Sequence, residues 1–242
     1  MDSRKHLSYH ESVPLRSLFV PAVFSLVAAA QQIPRPEFPQ PQFQRQHWVN
    51  LNGSWEFEFD DDNHGLVDDW AGANKSFSRR ITVPFCFESA RSGIADTSFH
   101  PWVWYRRRIA IPEGWKGRRV LLHFGAVDYR AMVWINGQLA GRHEGGNTPF
   151  QLDITGLLKP DSNSLAVRAE DPPTDRYIPR GKQYWELKSA GIFYTRTSGI
   201  WQTVWLEAAG DSYLTRVNVT PWLDGTVRFD AAIARPAPGV EL

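Results

Sequence analysis

Between Val120 and Thr155 the chain reads VLLHFGAVDYRAMVWINGQLAGRHEGGNTPFQLDIT, and little besides antiparallel β structure can be built on it. Val120, Leu122 and Phe124 alternate with Leu121 and His123, the period of two that belongs to a strand with one buried face. The pattern resumes at Met132 and Trp134, after Asp128. Asn136-Gly137 takes positive φ at low cost and predicts a two-residue hairpin turn between Ile135 and Gln138. Gly145-Gly146-Asn147 predicts a looser turn before Phe150, Leu152 and Ile154, whose alternation gives a further strand. Three or four antiparallel strands are expected here, with the chain folding back twice.

The same period governs the flanks. Trp55, Phe57 and Phe59 alternate after a turn at Leu51 to Ser54 and are expected to form the first strand, with Glu56 and Glu58 on its solvent side. Asp60-Asp61-Asp62 is expected to be a solvated acidic turn, because the later ligands of a calcium loop are missing. Pro84 assigns Ile81 to Phe87 to a sheet edge or a strand end. Ser89 to Phe99 is an exposed loop, and Trp102 to Pro112 is a long strand whose Arg106-Arg107-Arg108 run is expected at a solvated edge. Leu165, Val167 and Ala169 form another strand, and Gly199 to Glu207 returns to strand character. No segment sustains a helical period, so the expected class is all-β.

Charge and cysteine usage exclude several partners. A formal net charge of +1 in 242 residues gives no clustered basic excess for nucleic acid or an anionic surface. The single cysteine, Cys86, can make no internal disulfide and has neither metal-ligand spacing nor the neighbours of a nucleophile, and is expected in the core. No metal or cofactor is implied. The eleven tryptophans suit both a sandwich core and the apolar face of a sugar ring.

Residues 1–30 carry Arg4, Lys5 and Arg16 ahead of an apolar run from Leu18 to Val27 and end on Ala28-Ala29-Ala30. This is the form of a secretory signal, too short to span a membrane, and predicts a periplasmic or extracellular protein. Residues 31–46, rich in Pro and Gln, are an extended leader. A β domain over 47–208 and a tail over 209–242 complete the expected organisation.

Residues 171–198 make a connection too long to be routine, and long ordered loops are often functional. Arg176, Tyr177, Arg180, Lys182, Tyr184, Trp185, Phe193, Tyr194 and Arg196 within it combine aromatic faces with cationic donors suited to a polar ring. Asp128 is expected to cap its own turn through backbone N–H groups.

Three phrases, Trp104-Tyr105-Arg106-Arg107, FGAVDYRAMVWINGQLAGRHEGGNTPFQLDIT and SGIWQTVWLE from Ser198 to Glu207, together resemble the N-terminal sugar-binding domain of glycoside hydrolase family 2 over about Phe43 to Ala208. That family includes β-galactosidases, β-glucuronidases and β-mannosidases. The resemblance implies a jelly-roll, galactose-binding-like β-sandwich, with the tail from Leu214 opening an immunoglobulin-like second domain. It also implies a β-glycoside partner and a catalytic barrel following the two β domains, where a retaining pair of carboxylates about 5 Å apart resides; no residue here is expected to be catalytic. The family's first domain lends an acidic residue before the Gly-Ile phrase and a polar residue before the Trp-Tyr strand. Phe193 and Trp102 stand at those positions, and both depart from the pattern. The expected substrate-facing set is Trp102, Arg180, Trp185, Phe193, Tyr194 and Arg196. The alternative is a stand-alone, non-catalytic carbohydrate-binding module.

Overall fold

The computed structural model describes residues 32–72, 74–237 and 239, so the expected signal segment lies outside the described residues. In chain order the strands are β1 (Trp48–Asn50), β2 (Gly53–Phe59), β3 (Arg79–Val83), β4 (Trp102–Ile109), β5 (Arg119–Phe124), β6 (Val127–Asp128), β7 (Arg130–Ile135), β8 (Gln138–Glu144), β9 (Phe150–Asp153), β10 (Asn163–Glu170), β11 (Gly199–Ile200), β12 (Val204–Ala209), β13 (Tyr213–Pro221) and β14 (Val227–Ala234). They form a four-stranded sheet ordered β1-β12-β5-β9 and a six-stranded sheet ordered β3-β2-β4-β10-β7-β8, with two-stranded pairs β6-β11 and β13-β14. Every pairing is antiparallel. This is the all-β sandwich that the period-two pattern requires.

The alternation decides what lies between the sheets. Val120, Leu122 and Phe124 of β5 and Val204, Leu206 and Ala208 of β12 face Trp55 and Phe57 of β2, Tyr105 of β4, Val133 and Ile135 of β7 and Val167 of β10 in one buried cluster. Asn136 and Gly137 both hold positive φ (53° and 80°) and close the β7-β8 hairpin where their sequence predicts it. The Pro-rich leader is not a free linker. Phe38 packs edge-on against Trp48, ring centroids 5.0 Å apart, and the Asn50 and Asn52 amides donate to the carbonyls of Arg35 and Pro34.

Several expectations need correcting. β5 and β7 do not fold back on each other, because the chain crosses from one sheet to the other between them. The first strand is β1, too short for an alternation to reveal. The arginine run belongs to β4, which lies between β2 and β10 and not at an edge. There Arg106 pairs with Glu56 at 2.7 Å and lies over Phe77, Arg107 donates to the Asn52 carbonyl at 2.8 Å, and Arg108 alone is exposed. Cys86 is only half-buried; burial, then the neighbouring Glu88, pushes its thiol up to about 12.

The acidic turn is likewise not wholly solvated. Asp60 is buried and accepts from the Trp104 indole at 2.9 Å, the His64 N–H at 2.8 Å and the Gly65 N–H at 3.1 Å. It fastens the 60–72 segment over the stacked rings of Trp104 and Trp134 on the outer face of the larger sheet. Asp60→Ala, which orphans these buried donors, is therefore expected to cost about 2–4 kcal/mol in urea unfolding. The exposed Asp62→Ala should stay within about 0.5 kcal/mol of wild type; equal effects would remove Asp60 from this role.

Candidate functional site

The 171–198 loop leaves β10 and returns through β11, so the sandwich fixes both its ends. Asp171 N–H donates to the Pro101 carbonyl at 2.9 Å, and Gly199 and Ile200 pair with Asp128 and Val127. Gly199 has φ +75°, and a Cβ there would run into the Tyr105 hydroxyl, which accepts the Ile200 N–H at 3.2 Å. Only glycine offers both the conformation and the clearance. Gly146 is held by clearance alone, since its Cβ would meet the Asp128 carboxylate.

Within the loop, backbone and side chain share the work. Tyr184 N–H donates to the Tyr194 carbonyl and Tyr194 N–H to the Lys182 carbonyl, at 2.9 and 3.0 Å. This ties the two limbs together and brings Tyr184 and Phe193 into a parallel stack, centroids 5.1 Å apart. Trp185 stands edge-on to both rings, and the Arg176 guanidinium lies 4.4 Å from the Trp185 centroid. Tyr177, Leu187, Ile192 and Tyr194 are exposed around this stack. The result is an aromatic platform, half-buried at its centre and open at its rim.

The expected set divides. Trp185, Phe193 and Tyr194 belong to the platform or its rim. Arg180 and Arg196, expected as exposed cationic donors, are instead buried and spend their terminal nitrogens on carbonyls. Arg180 donates to Pro172 and Pro173, and Arg196 to Thr97 at 2.6 Å, Glu186 at 3.0 Å and Tyr184 at 3.4 Å. Arg196 also covers the Phe99 ring, so it staples this loop to the 89–101 loop. Trp102 lies at the start of β4 under the Arg168 guanidinium, and among the described residues no ring of the platform stacks on it.

Beneath the platform lie groups that no local motif announces. Gln183 donates to Asp128 Oδ2 at 2.7 Å and accepts the Thr197 N–H at 2.6 Å, so Asp128 catches a side chain and not the backbone of its own turn. Ser198 donates its hydroxyl to Asp171 Oδ2 at 2.6 Å, and its N–H to Glu88 Oε2 at 3.3 Å. Burial, reinforced by the charge of Asp171, pushes the Asp128 carboxyl up to about 7. Burial also pushes Glu88 up to about 7 and raises Asp171. Glu88 and Asp128 have the range of a general acid, but a glycoside cannot reach groups that, with Asp171, are 4–8% exposed. Among the described residues no group of three or more His, Cys, Asp or Glu is placed to hold a metal, and no helix is long and apolar enough to cross a membrane.

A cavity of about 450 Å³ lies elsewhere, on the outer face of the smaller sheet, lined in part by Phe43, His123, Phe150, Trp205 and Glu207. Its one carboxylate is already committed. Glu207 accepts from Arg45 at 2.7 Å and from the Trp205 indole at 3.0 Å, and His123 Nε2 stands 3.2 Å from it without hydrogen-bond geometry. The platform is the better candidate.

Residues 48–208 match the family described as "Glycosyl hydrolases family 2, sugar binding domain". The chain belongs to this family. Its relatives include the β-galactosidase of Thermoanaerobacter pseudethanolicus, 29% identical over 170 residues, which are 69% of this chain and 20% of that protein. The β-glucuronidase of Canis lupus familiaris is 28% identical over 198 residues, 72% of this chain and 30% of that protein. Among solved structures, a β-glucuronidase from an uncultured Clostridium sp. superposes with a TM-score of 0.64 at 25% identity, over 81% of this chain and 35% of that one. The alignments thus span only about a fifth to a third of these relatives' length. The Ser198-Gly199-Ile200 phrase of this family 2 domain is where the loop rejoins the sandwich through β11.

The two ends of the expected set should behave differently in unfolding. Arg196→Ala removes a buried side chain and three charge-assisted hydrogen bonds that tie the two loops together, and is expected to cost about 2–4 kcal/mol. Tyr194→Ala at the open rim should cost no more than about 1 kcal/mol. Urea midpoints of the two variants check this, and a silent Arg196→Ala would return that residue to the exposed set.

Proposed function

We propose that this chain is the sugar-binding and scaffolding portion of a retaining β-glycosidase, and that the platform of Tyr184, Trp185 and Phe193, with Tyr194 at its rim, forms a wall of a substrate pocket completed by a catalytic barrel. The observation that carries the reading is a stacked aromatic surface left open on a loop whose base is over-determined by buried hydrogen bonds. Aromatic faces are suited to the apolar face of a pyranose, and a rigid base keeps the ordering cost low. In this reading the catalytic carboxylates belong to the barrel, and Glu88, Asp128 and Asp171 hold the wall in place.

The hairpin β13-β14 supports a further domain beyond the sandwich. Val219, Val227 and Phe229 lie on one face of it and are exposed, as the opening strands of an immunoglobulin-like sheet would be before their partners pack on them. The basic start and apolar run within residues 1–30 support export to the periplasm or the extracellular space.

The chain alone is expected to show no turnover of aryl β-galactosides or β-glucuronides, and to bind the corresponding methyl glycosides no more tightly than about millimolar, since one wall offers few contacts. In a protein extended to the full length of its relatives, Trp185→Ala should lower kcat/KM by about tenfold, about 1.4 kcal/mol of transition-state binding. Calorimetry on the chain and kinetics on the extended protein check the two halves. Unchanged kinetics would move the substrate wall elsewhere, and micromolar binding by the chain alone would favour a stand-alone carbohydrate-binding module.

A further inference from the structure

The base of the platform loop is fastened at three carboxyl groups, which meet there from three parts of the chain. Glu88 follows β3, Asp128 ends β6 and Asp171 follows β10; they are 8%, 4% and 5% exposed. Each accepts a hydrogen bond from the loop: Glu88 from the Ser198 N–H, Asp128 from the Gln183 amide and Asp171 from the Ser198 hydroxyl. Among the described residues none of the three forms an ion pair within 4.0 Å, and Glu88 Oε1 is buried with no partner at all. A buried carboxylate without a paired cation is costly, whereas a buried neutral carboxyl costs no more than its unmade hydrogen bonds.

The groups that face the three are few. Asp171 faces Glu88 and Asp128, and repulsion opposes a second ionisation in the cluster. Arg180 faces Asp128 and Asp171, and Arg196 faces Asp171 and Glu88, each from beyond ion-pair distance, with the two terminal nitrogens of each guanidinium held by carbonyls and Arg180 Nε buried without a partner. The Cys86 thiol and the Tyr105 hydroxyl face Glu88, and Tyr129 adjoins Asp128. Burial raises all three of these side groups above their ordinary ranges, so they stay neutral over the range in question.

We propose that Glu88, Asp128 and Asp171 form a protonation-dependent latch that holds the 171–198 loop against the sandwich in acid and loosens it as the pH rises toward neutral. In the neutral form each carboxyl still has a lone pair for its loop donor, so the three hydrogen bonds survive protonation. Ionisation keeps those bonds but adds unpaired buried charges that repel one another, and opening the loop relieves them by admitting water. The sign follows from linkage. Glu88 and Asp128, held at about 7 in the closed state and near 4 when exposed, contribute stability that is complete below about pH 4, is lost between about 4 and 7, and changes no further above that, and burial raises Asp171 in the same direction. The loss reaches about tenfold in the opening equilibrium per pH unit for each carboxyl that ionises. The loop, and with it the aromatic platform, is therefore most ordered under acidic conditions. This inference does not depend on what the platform binds, since its test reads the loop itself.

Hydrogen exchange with mass spectrometry on the 242-residue chain tests it, at pH 5, 6, 7 and 8 and corrected for the intrinsic pH dependence of exchange. The informative amides are those of Tyr184, Tyr194, Thr197 and Ser198, which are bonded in the closed loop. Their protection is expected to fall at least tenfold between pH 5 and 7 and to level off by pH 8, while amides of β5 and β10 do not change. In each of Glu88→Gln and Asp128→Asn, which keep the acceptor and remove one charge, the fall in protection between pH 5 and 8 should be at least tenfold smaller than in the wild-type chain, and smaller again in the double variant. Wild-type protection independent of pH, or variants that follow the wild-type profile, would overturn the latch. Because Asp128→Asn could disturb the β6-β11 pair, the carboxyl ¹³C shift of Glu88 in the wild-type chain provides a second reading. Titration close to 7 supports the proposal, and titration in the ordinary carboxylate range sinks it.

Discussion

A connection of this length lying against a sandwich has no ladder to absorb its backbone groups, and each polar group it buries must find a partner among side chains. Arg196 meets most of that need. One guanidinium, carried on the second limb of the loop, takes two carbonyls from the first limb and one from the neighbouring 89–101 loop, with donors in a fixed fork that no lysine could reproduce. Gln183 adds the second tie, joining Asp128 below to the Thr197 N–H above. With the loop so held, the rings of Tyr184, Trp185 and Phe193 stack instead of scattering, and the platform exists because its base is fixed.

The same fixing creates the cluster of acids. Each hydrogen bond that fastens the loop brings a carboxyl under cover, and the arginines that would pair with them are already bound to carbonyls. Buried acceptors and buried cations are thus present at one place without neutralising each other. That division couples protonation to the order of the loop. The sandwich core is apolar and indifferent to pH, and the three buried acids lie together at the base of the loop that carries the aromatic platform.

Much of the architecture was legible from residue order. The alternations at Val120 to Phe124, Trp55 to Phe57 and Leu165 to Ala169 read directly as buried strand faces, and Asn136-Gly137 as a hairpin turn, because these signals are local and repeat within a few residues. The Gly-Ile phrase and its neighbours also led to the right family. What escaped was everything that depends on a partner distant in sequence. Asp60 looks like part of a solvated turn until Trp104 is found above it. The arginine run looks like an edge until β2 and β10 are seen on either side of its strand. Arg196 looks like a ligand donor until the carbonyls of Thr97, Tyr184 and Glu186 close around it.

The sequence by itself determined an all-β sandwich, the place of its hairpins and the family to which it belongs, since period-two burial and turn residues act over short range and leave one class of solution. Only the tertiary structure decided which loop residues are exposed and which are structural. Charge and aromaticity are alike in both kinds of residue, and the difference lies in whether packing has removed water from them. Trp185 and Tyr194 kept an open face, Arg180 and Arg196 lost theirs to backbone carbonyls, and Glu88, Asp128 and Asp171 met beneath the loop because the β6-β11 pair and the β4-β10 ladder bring together points far apart in the chain.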